Sequence, residues 1–422
     1  MKVFKFGGAS VNSVERIKAV GEILKQYPGE KLLVVISAMG KTTNALEKVV
    51  HAFFDGKKEE ALHLFDQVKR QHLATANYLL VTQARACEQQ LLDFYTEVEW
   101  LLHDQPVRSF DYYYDQVVCI GELLSTAIIS HYLEEVGISN KWLDVRDIFR
   151  TDDNFRDAGI DWDFTNNKVQ SVVKPLFSQT DIVLTQGFIG ATDENESTTL
   201  GREGSDYSGS VFASMLGAES LTIWKDVKSV MNADPKQFND AQSIPELNYA
   251  EVIEMAYYGA QVIHPKTIKP LQNKSIPLYV KCFLDPALPG TVIHTQKLKH
   301  LPPIIVLKEN QVLIELLSKD FSFVGDHHTT QLFRLFGELK LKPNLTQNGA
   351  ISLLCVFDDH AEKIESLALG AADIFDVQVA RNLSLLTIRH YTCDDLDKLI
   401  NEKKILLKQQ TRDTVQVVFL ES

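Results

Sequence analysis

Short, almost continuously hydrophobic runs alternate with amphipathic helical segments through roughly the first 290 residues of this chain. The runs have the length of β-strands, and their lack of polar alternation is typical of parallel strands covered on both faces. A strand–helix rhythm of this kind predicts an α/β layer structure with right-handed crossovers. The predicted strands are VFKF (3–6), KLLVVIS (31–37), KWLDV (141–145), DIVLTQGF (181–188), LTIWKDV (221–227) and IPLYVKCF (276–283).

Two regions depart from this rhythm. Residues 57–102 show helical periodicity without any strand signal, which predicts an inserted helical pair. The composition changes at TQKLKHLPP (295–303), where basic residues lead into two prolines, and we expect a domain boundary there. Beyond it, a strand–helix–strand–strand–helix set and a weaker partial echo predict two small α+β modules in residues 303–422.

Charge and cysteine content exclude several classes of protein. The net charge of −13 argues against a general nucleic-acid binder, which needs a basic face. The five cysteines are scattered without paired spacing, so we expect neither a disulfide framework nor a cysteine-based metal site. The start MKVFKFGG reads as a strand entering a turn rather than a signal peptide, and no apolar run is long enough to span a membrane. We therefore expect a cytoplasmic protein that binds neither nucleic acid nor membrane.

Glycine turns follow two of the predicted strands. The Gly-Lys-Thr of SAMGKTTN is not a P-loop, because Val35 stands where that motif requires glycine. No Gly-x-Gly-x-x-Gly follows a predicted strand, so a dinucleotide site is poorly supported. In KFGGAS, however, Gly7 and Gly8 leave room for backbone N–H groups to approach a phosphate beside Lys5. An edge-strand lysine that reaches solvent beside an ordinary turn explains the same residues about as well.

Two further segments place polar groups at the starts of helices. SAMGKTTN offers the hydroxyls of Ser37 and Thr43, although a helix cap explains them too. GELLST puts Glu122 at the front of an apolar helix, where a carboxylate most often complements the helix dipole.

The segment TTLGREGSDYSG (198–209) is more informative. A helix cap explains Ser205 and Asp206, but it explains neither Arg202 nor the flanking glycines. An arginine can bind a carboxylate through two parallel hydrogen bonds. With Lys5 and Glu122, the pattern fits an amino-acid substrate beside a nucleotide. A carboxylate acceptor is already ionised, so phosphoryl transfer to it needs no general base.

Taken together, five motifs resemble the aspartokinases of the amino-acid kinase superfamily. They are KFGGAS, SAMGKTTN, GELLST, TLGREGSDYS and the long stretch IWKDVKSVMNADPK…IPELNYAEVIEMAYYGAQVIHPKTI, in the family's order between Met1 and about Ile293. The resemblance implies a three-layer αβα kinase domain over 1–296 with 57–102 as an insertion. It also implies ATP-dependent phosphorylation of the side-chain carboxylate of L-aspartate, the first step towards lysine, threonine and methionine. The tail, more weakly, resembles tandem regulatory ACT modules, the second of them shortened.

The resemblance assigns a role to each matching residue. Lys5 is the cation at the transferring phosphoryl group, and Asp206 organises that centre. Arg202 binds the α-carboxylate of aspartate and Glu122 its α-amino group. The rest of the substrate pocket is Ser37, Thr43 and Ser205; the nucleotide is bordered by Lys5, Gly7, Gly8, Ala9, Lys225, Asp226, Met231, Asp234 and Lys236.

Three positions depart from the family's pattern. Ala9 replaces a threonine and removes a hydroxyl near the phosphates, Lys225 replaces a threonine and adds a cation, and Gln261 replaces a lysine. We expect Mg²⁺ to arrive with ATP, held largely by phosphates and water. ACT modules pair across subunits, so a homodimer is expected.

Two other functions remain open at this point. The nearest rival within the same fold is a kinase for another small carboxylate, such as glutamate or N-acetylglutamate. From a different class, the chain could be an amino-acid sensor that has lost catalysis, although it retains Lys5 and Asp206. We also expect weak or no inhibition by lysine and threonine, because Asn344 stands where lysine-sensitive relatives carry an acid. Asp320 and Asp326 are acids nearby that could substitute for it.

Overall fold

The computed structural model of the chain describes residues 1–260, 262–298, 300–320, 323 and 326–420. The chain forms two compact units. Unit 1 comprises residues 1–230, 243–253 and 262–297, and unit 2 comprises residues 231–242, 254–261 and 298–422. The segments 231–242 and 254–261 thus group with the tail, whereas the sequence analysis placed them in the kinase domain.

An eight-stranded sheet forms the centre of unit 1, in the order β3-β4-β2-β1-β7-β9-β10-β8. All neighbouring pairs are parallel except β9 and β10. Two short strands, β5 and β6, form a separate antiparallel pair. The strands are β1 (Lys2–Phe6), β2 (Leu32–Ile36), β3 (Lys141–Leu143), β4 (Ile182–Gln186), β5 (Ile189–Ala191), β6 (Ser197–Thr199), β7 (Leu221–Lys225), β8 (Glu246–Asn248), β9 (Leu278–Cys282) and β10 (Thr291–His294).

Helices connect these strands. The first begins after Ser13, whose hydroxyl caps it by accepting the Arg16 N–H at 3.3 Å. The helices are α1 (Val14–Lys25), α2 (Thr42–Phe54), α3 (Lys58–Leu79), α4 (Ala84–His103), α5 (Phe110–Val118), α6 (Ile120–Glu135), α7 (Trp162–Lys168), α8 (Lys174–Leu176), α9 (Gly204–Leu216), α10 (Tyr249–Tyr258) and α11 (Pro265–Lys274). A π-helical stretch, Val169–Val173, joins α7 to α8, and α3 and α4 occupy the region in which a helical pair is predicted.

Burial shows that the middle of the sheet is covered on both faces. Every residue of β2 and β4 is buried, as their continuous hydrophobic sequence predicts. The segment Phe110–Glu135, which comprises α5 and α6, is long and apolar enough to cross a membrane by length and composition alone. Because 83% of its most apolar window is buried inside the protein, a core position accounts for that composition.

Aromatic side chains pack beneath the carboxyl ends of β1 and β7. Phe6 stacks on Trp224 with ring centroids 5.8 Å apart, and Phe4 meets the same indole edge-on at 5.7 Å. All three rings are almost completely buried. These contacts hold the ends of β1 and β7 in a rigid core.

Unit 2 is built on a six-stranded antiparallel sheet in the order β12-β13-β11-β14-β16-β15. Two long strands, β11 and β14, run through its centre and join its two halves. The elements are β11 (Ile304–Ser318), α12 (Asp326–Glu338), β12 (Leu345–Asn348), β13 (Ser352–Asp358), α13 (Ala361–Ala371), β14 (Phe375–Arg389), α14 (Cys393–Ile400), β15 (Ile405–Gln410) and β16 (Thr414–Leu420). The predicted fold class, a parallel-sheet α/β core followed by α+β modules, is confirmed.

Separate hydrophobic cores lie under the helices of unit 2. Phe336 of α12 and Leu367 of α13 pack with Ile314 of β11 in one core. Leu396 of α14 packs with Val417 of β16 in another. The second half therefore has its own buried centre although it contains only one helix.

Candidate active site

A cleft of about 600 Å³ opens in unit 1 where several parallel strands end. Its floor comes from the residues that end or follow β1, β2 and β7, and one wall comes from the start of α9. Open parallel sheets bind ligands at this edge, because loops and helix N-termini converge there. The lining includes these predicted site residues: Lys5, Gly7, Gly8, Ala9, Ser37, Thr43, Glu122, Arg202, Ser205, Asp206, Lys225 and Asp226.

Two lysines flank one aspartate on the floor of the cleft. Lys5 Nζ lies 2.6 Å from Asp206 Oδ1, and Lys225 Nζ lies 3.8 Å from Asp206 Oδ2. Lys5 is 7% exposed, so it does not reach solvent as an edge-strand lysine would. Burial opposes ionisation of Asp206, but the ammonium groups of Lys5 and then Lys225 outweigh it and hold the pKa of this carboxyl below its usual value. Two ammonium groups therefore converge on one carboxylate at this point of the cleft.

The turn after β1 touches the turn after β2. The Gly40 N–H donates to the carbonyl of Gly8 at 3.0 Å. A Cβ on Gly8 would lie 2.8 Å from the carbonyl oxygen of Ala38 and 3.0 Å from that of Gly40. Glycine is required at position 8 because only its lack of a side chain allows this approach.

Hydroxyl groups lie between these turns and α9. The Ser37 hydroxyl donates to Ser205 Oγ at 2.8 Å, and the carbonyl of Ser37 accepts from the Ser125 hydroxyl at 2.8 Å. Thr43, in the first turn of α2, also faces the cleft. Ser37 and Ser205 are thus fixed relative to each other across the cleft.

Glu122 is a buried carboxylate with one oxygen left over. Its Oε1 accepts the Ala38 N–H at 3.4 Å, while Oε2 has no hydrogen-bond partner within the part of the chain that the structure describes. Burial raises the pKa of Glu122 to about 8, against weaker opposing effects from the Ala38 N–H and Lys5. A buried carboxylate with a free oxygen is suited to receive a cationic group from a ligand.

Arg202 lies in the bend that leads into α9. Gly201 and Glu203 on either side have positive φ values of 74° and 54°, and the Glu203 carboxylate accepts the His264 N–H at 3.0 Å. Arg202 is exposed and forms no ion pair with any other described residue, so its guanidinium is available to an anion. Glu203 occupies the N-cap position of α9 without making a side-chain capping hydrogen bond. Ser205 and Asp206 therefore lie inside the helix and line the cleft rather than serving as its caps.

Several lining residues were missed in the sequence analysis. Arg156 has φ 70°, its guanidinium lies 4.3 Å from the Tyr114 ring centroid, and it forms exposed ion pairs with Glu47 and Asp111. Thr199 lines the same side. No motif marks Arg156, and nothing in the motif TLGREGSDYS singles out its first residue, Thr199, because the two residues are distant in sequence and meet only in the folded chain.

A buried carboxylate, Asp115, lies directly behind them. It accepts the N–H groups of Arg156 at 3.0 Å and Thr199 at 2.8 Å, and the Thr199 hydroxyl at 2.7 Å. Burial raises the pKa of Asp115 to about 6, with these hydrogen bonds acting in the opposite direction. Asp115 is one of two aspartates in a tyrosine-rich helix, and nothing in the sequence distinguishes it from Asp111.

The remaining predicted nucleotide residues, Met231, Asp234 and Lys236, belong to unit 2, and their role stays a prediction. Gln261 lies outside the described residues. Among the residues that are described, no group of three or more His, Cys, Asp or Glu side chains could hold a metal ion.

Comparison with known proteins gives the family. Residues 1–282 match the family model described as "Amino acid kinase family". Aspartokinase 2, chloroplastic, of Arabidopsis thaliana is 32% identical over 84% of this chain and 66% of the relative. Lysine-sensitive aspartokinase 3 of Escherichia coli is 29% identical over 92% of this chain and 86% of the relative. The chain spans between 63% and 66% of the length of the three similar Arabidopsis aspartokinases.

A solved structure agrees with these relatives. Aspartokinase III of E. coli, in complex with aspartate and ADP, superposes with a TM-score of 0.82 at 25% identity, covering 100% of this chain and 96% of that one. The predicted resemblance to aspartokinases is confirmed. With its family match, its parallel sheet and its cleft at the strand ends, this chain belongs to the amino acid kinase family.

Proposed function

We propose that the chain phosphorylates the side-chain carboxylate of L-aspartate with ATP, which yields 4-phospho-L-aspartate and ADP as the first step of lysine, threonine and methionine biosynthesis. The observation that carries this proposal is the composition of one cleft. It combines a buried carboxylate with a free oxygen (Glu122), an available guanidinium (Arg202) and two lysine ammonium groups on the floor (Lys5 and Lys225). The similar E. coli enzyme was solved with aspartate and ADP.

The chemistry needs little from the protein beyond position and charge. A β-carboxylate oxygen of aspartate attacks the γ-phosphorus of ATP, the bond from that phosphorus to the β–γ bridging oxygen breaks, and ADP leaves. The acceptor is ionised at neutral pH, so no base has to remove a proton. Lys5, and beside it Lys225, supply positive charge where negative charge gathers on the phosphoryl oxygens.

Asp206 would keep this centre in order. Asp206 lies at the start of α9, and its carboxylate pairs with Lys5 of β1 and Lys225 of β7. Their ammonium groups are therefore already in place and need not reorganise during phosphoryl transfer. Lys225 also donates to the carbonyl of Val262 at 2.8 Å, which fixes it from a second side.

The amino acid would be held at its other end. Arg202 would bind the α-carboxylate and Glu122 the α-ammonium group, with Ser37, Thr43 and Ser205 between them. Because Glu122 has its pKa raised to about 8, the arriving ammonium would draw it into the ionised form.

Mg²⁺ would enter with the nucleotide. Asp206 is already paired with two lysines and Asp226 lies exposed at the cleft, so the residues present fit a cation held mainly by phosphates and water. The ion would supply further neutralisation of phosphate charge.

For unit 2 we propose a regulatory, dimer-forming region. Its edge strand β15 exposes the side chains of Ile405 and Leu406, each 39% accessible, and an unpaired strand edge is a ready surface for pairing. Light scattering coupled to gel filtration would detect the expected homodimer, and a monomer at micromolar concentration would contradict it.

A single assay tests the proposed reaction against its rivals. ADP release is followed with Mg-ATP and L-aspartate, L-glutamate or N-acetylglutamate, each over a range of concentrations. We expect turnover with aspartate and kcat/KM lower by orders of magnitude with the other two. Preference for another carboxylate would favour the related kinases, and no ADP release with any of them would favour an inactive sensor.

A further inference from the structure

Asp115 takes no part in the cleft surface, yet its partners do. The carboxylate is buried at 0% exposure on α5, and it accepts three hydrogen bonds. All three donors belong to Arg156 and Thr199, and both of these residues line the cleft. Asp115 therefore lies one layer behind the part of the cleft wall that Arg156 and Thr199 form.

The two segments that Asp115 holds also bind each other. The Ala158 N–H donates to the carbonyl of Thr199 at 3.0 Å. Lys266 donates to Asp157 at 2.8 Å and to the carbonyl of Leu200 at 3.0 Å. Residues 156–158 and 199–200 thus form one paired unit, which we call the clamp, and Asp115 anchors it to α5.

The clamp leads directly into the bend of Arg202. Thr199 is the last residue of β6, and Gly201, two residues later, has φ 74°. Gly201 is also in close contact with Asp157, since a Cβ on Gly201 would lie 2.5 Å from Asp157 Oδ1. Arg156 has φ 70°, a conformation disfavoured for a residue with a side chain. Its N–H bond to Asp115 offsets that cost.

We propose that Asp115 is a positioning residue that sets the place of Arg202 for the α-carboxylate of the acceptor amino acid. This inference rests on the proposed function of the same cleft. Lys5, Lys225 and the glycine turns make no hydrogen bond with the clamp in the described part of the chain, so the effect of Asp115 falls on the acceptor and not on ATP.

The test compares three variants by steady-state kinetics. Asp115→Ala leaves the three donors without an acceptor, and we expect the KM for aspartate to rise tenfold or more, with the KM for ATP within twofold of wild type. Asp115→Asn should restore most of the affinity, because its amide oxygen can accept both N–H groups while its NH₂ donates to the Thr199 hydroxyl. Thr199→Val removes a single donor and should raise the KM for aspartate by a smaller factor. This variant replaces Asp115→Ala as the test if Asp115→Ala does not fold.

A matched control is Asp144→Ala. Asp144 is a partly buried carboxylate of the same unit that pairs with Arg146 at 2.8 Å and does not line the cleft. Its loss should lower the melting temperature without changing the KM for aspartate. If loss of stability alone raised the KM for aspartate, Asp144→Ala would raise it as Asp115→Ala does, and the proposal would fail.

A double variant isolates the route through Arg202. In an Arg202→Ala background, Asp115→Ala should cause little further rise in the KM for aspartate. An equal rise in both backgrounds, or equal changes in the KM values for aspartate and ATP, would overturn the proposal. Wild type that does not phosphorylate aspartate would instead refute the proposed function, so the two failures are distinguishable.

Discussion

Replacing Glu122 by glutamine should stabilise the ligand-free protein while weakening its hold on aspartate. Burial raises the pKa of Glu122 to about 8 from an ordinary value of 4.5. Between these values the folded protein keeps a proton that the unfolded chain releases, so stability falls as pH rises through that window. Each pH unit is worth about 1.4 kcal/mol, so by pH 7 the cost reaches about 3 kcal/mol.

The variant Glu122→Gln has nearly the same shape and no charge at any pH. Urea unfolding of both ligand-free proteins, in half-unit steps from pH 5 to 8, measures the difference in their free energies of unfolding. We expect that difference to shift in favour of the variant by about 1.4 kcal/mol per pH unit. In the kinetic assay, losing the charged contact to the ammonium should cost about 1.5–3 kcal/mol, or roughly 10–150-fold in kcat/KM for aspartate.

Glu135→Gln is the control on the same helix. Hydrogen bonds from the N–H groups of Gln83, Thr82 and Val81 lower the pKa of Glu135, so it is ionised from pH 5 upwards in the folded protein. The free energy of unfolding of Glu135→Gln should therefore differ from that of wild type by a nearly constant amount across most of the range from pH 5 to 8. A Glu122→Gln difference that is equally independent of pH would refute the argument, because it would show that Glu122 is already ionised without ligand.

Three further predictions concern the cleft and the tail. Lys5→Ala should lower kcat by roughly 10²–10³, the size expected for one preorganised charge. It should also lower the melting temperature, because it leaves the buried Asp206 carboxylate with Lys225 as its remaining ion-pair partner among the described residues. Near-normal turnover of the purified variant would show that Lys5 does not serve the phosphoryl centre. Arg202→Ala should cost about 1.5–3 kcal/mol, measured as a fall in kcat/KM for aspartate, with little change in the KM for ATP; the reverse pattern would show that Arg202 serves the nucleotide. Lysine and threonine should inhibit weakly or not at all when they are titrated separately and together at sub-saturating aspartate. The reason is that the side-chain amide of Asn344 is already hydrogen-bonded to Lys308, Gln311 and Asp358. Strong inhibition at millimolar or lower concentration would contradict this prediction.

Local sequence patterns were enough to predict most of the architecture. Continuous apolar runs identified the five-residue strands of unit 1 (β1, β2, β4, β7 and β9) because burial on both faces leaves little room for polar alternation. The three-residue β3 was predicted as part of the longer run KWLDV. The short strands β5, β6, β8 and β10 were not predicted, since segments of three or four residues carry little periodicity of their own. Their pairing depends on partners that the tertiary fold supplies.

The candidate site shows the same division. Residues beside glycine turns, such as Lys5 and Arg202, could be predicted because the turns themselves are visible in the sequence. Arg156 and Tyr114 could not, since their place in the cleft depends on packing between α5 and loops far away in the chain. The contact that Lys5 and Lys225 share with Asp206 could not be predicted from the sequence either, because it joins two strands and a helix.

The contact at Gly8 limits how this cleft could be remodelled for a larger acceptor. With the first two turns in van der Waals contact, neither can retreat from the other without breaking the Gly40–Gly8 hydrogen bond. The wall that contains Phe188 and Arg156 is closely packed as well, since a Cβ on Gly201 would lie 3.2 Å from the carbonyl oxygen of Arg156 and one on Gly204 would lie 3.5 Å from the Cα of Phe188. Selection for a larger acceptor should therefore shorten side chains that line the cleft, such as that of Phe188, and leave the glycine turns unchanged.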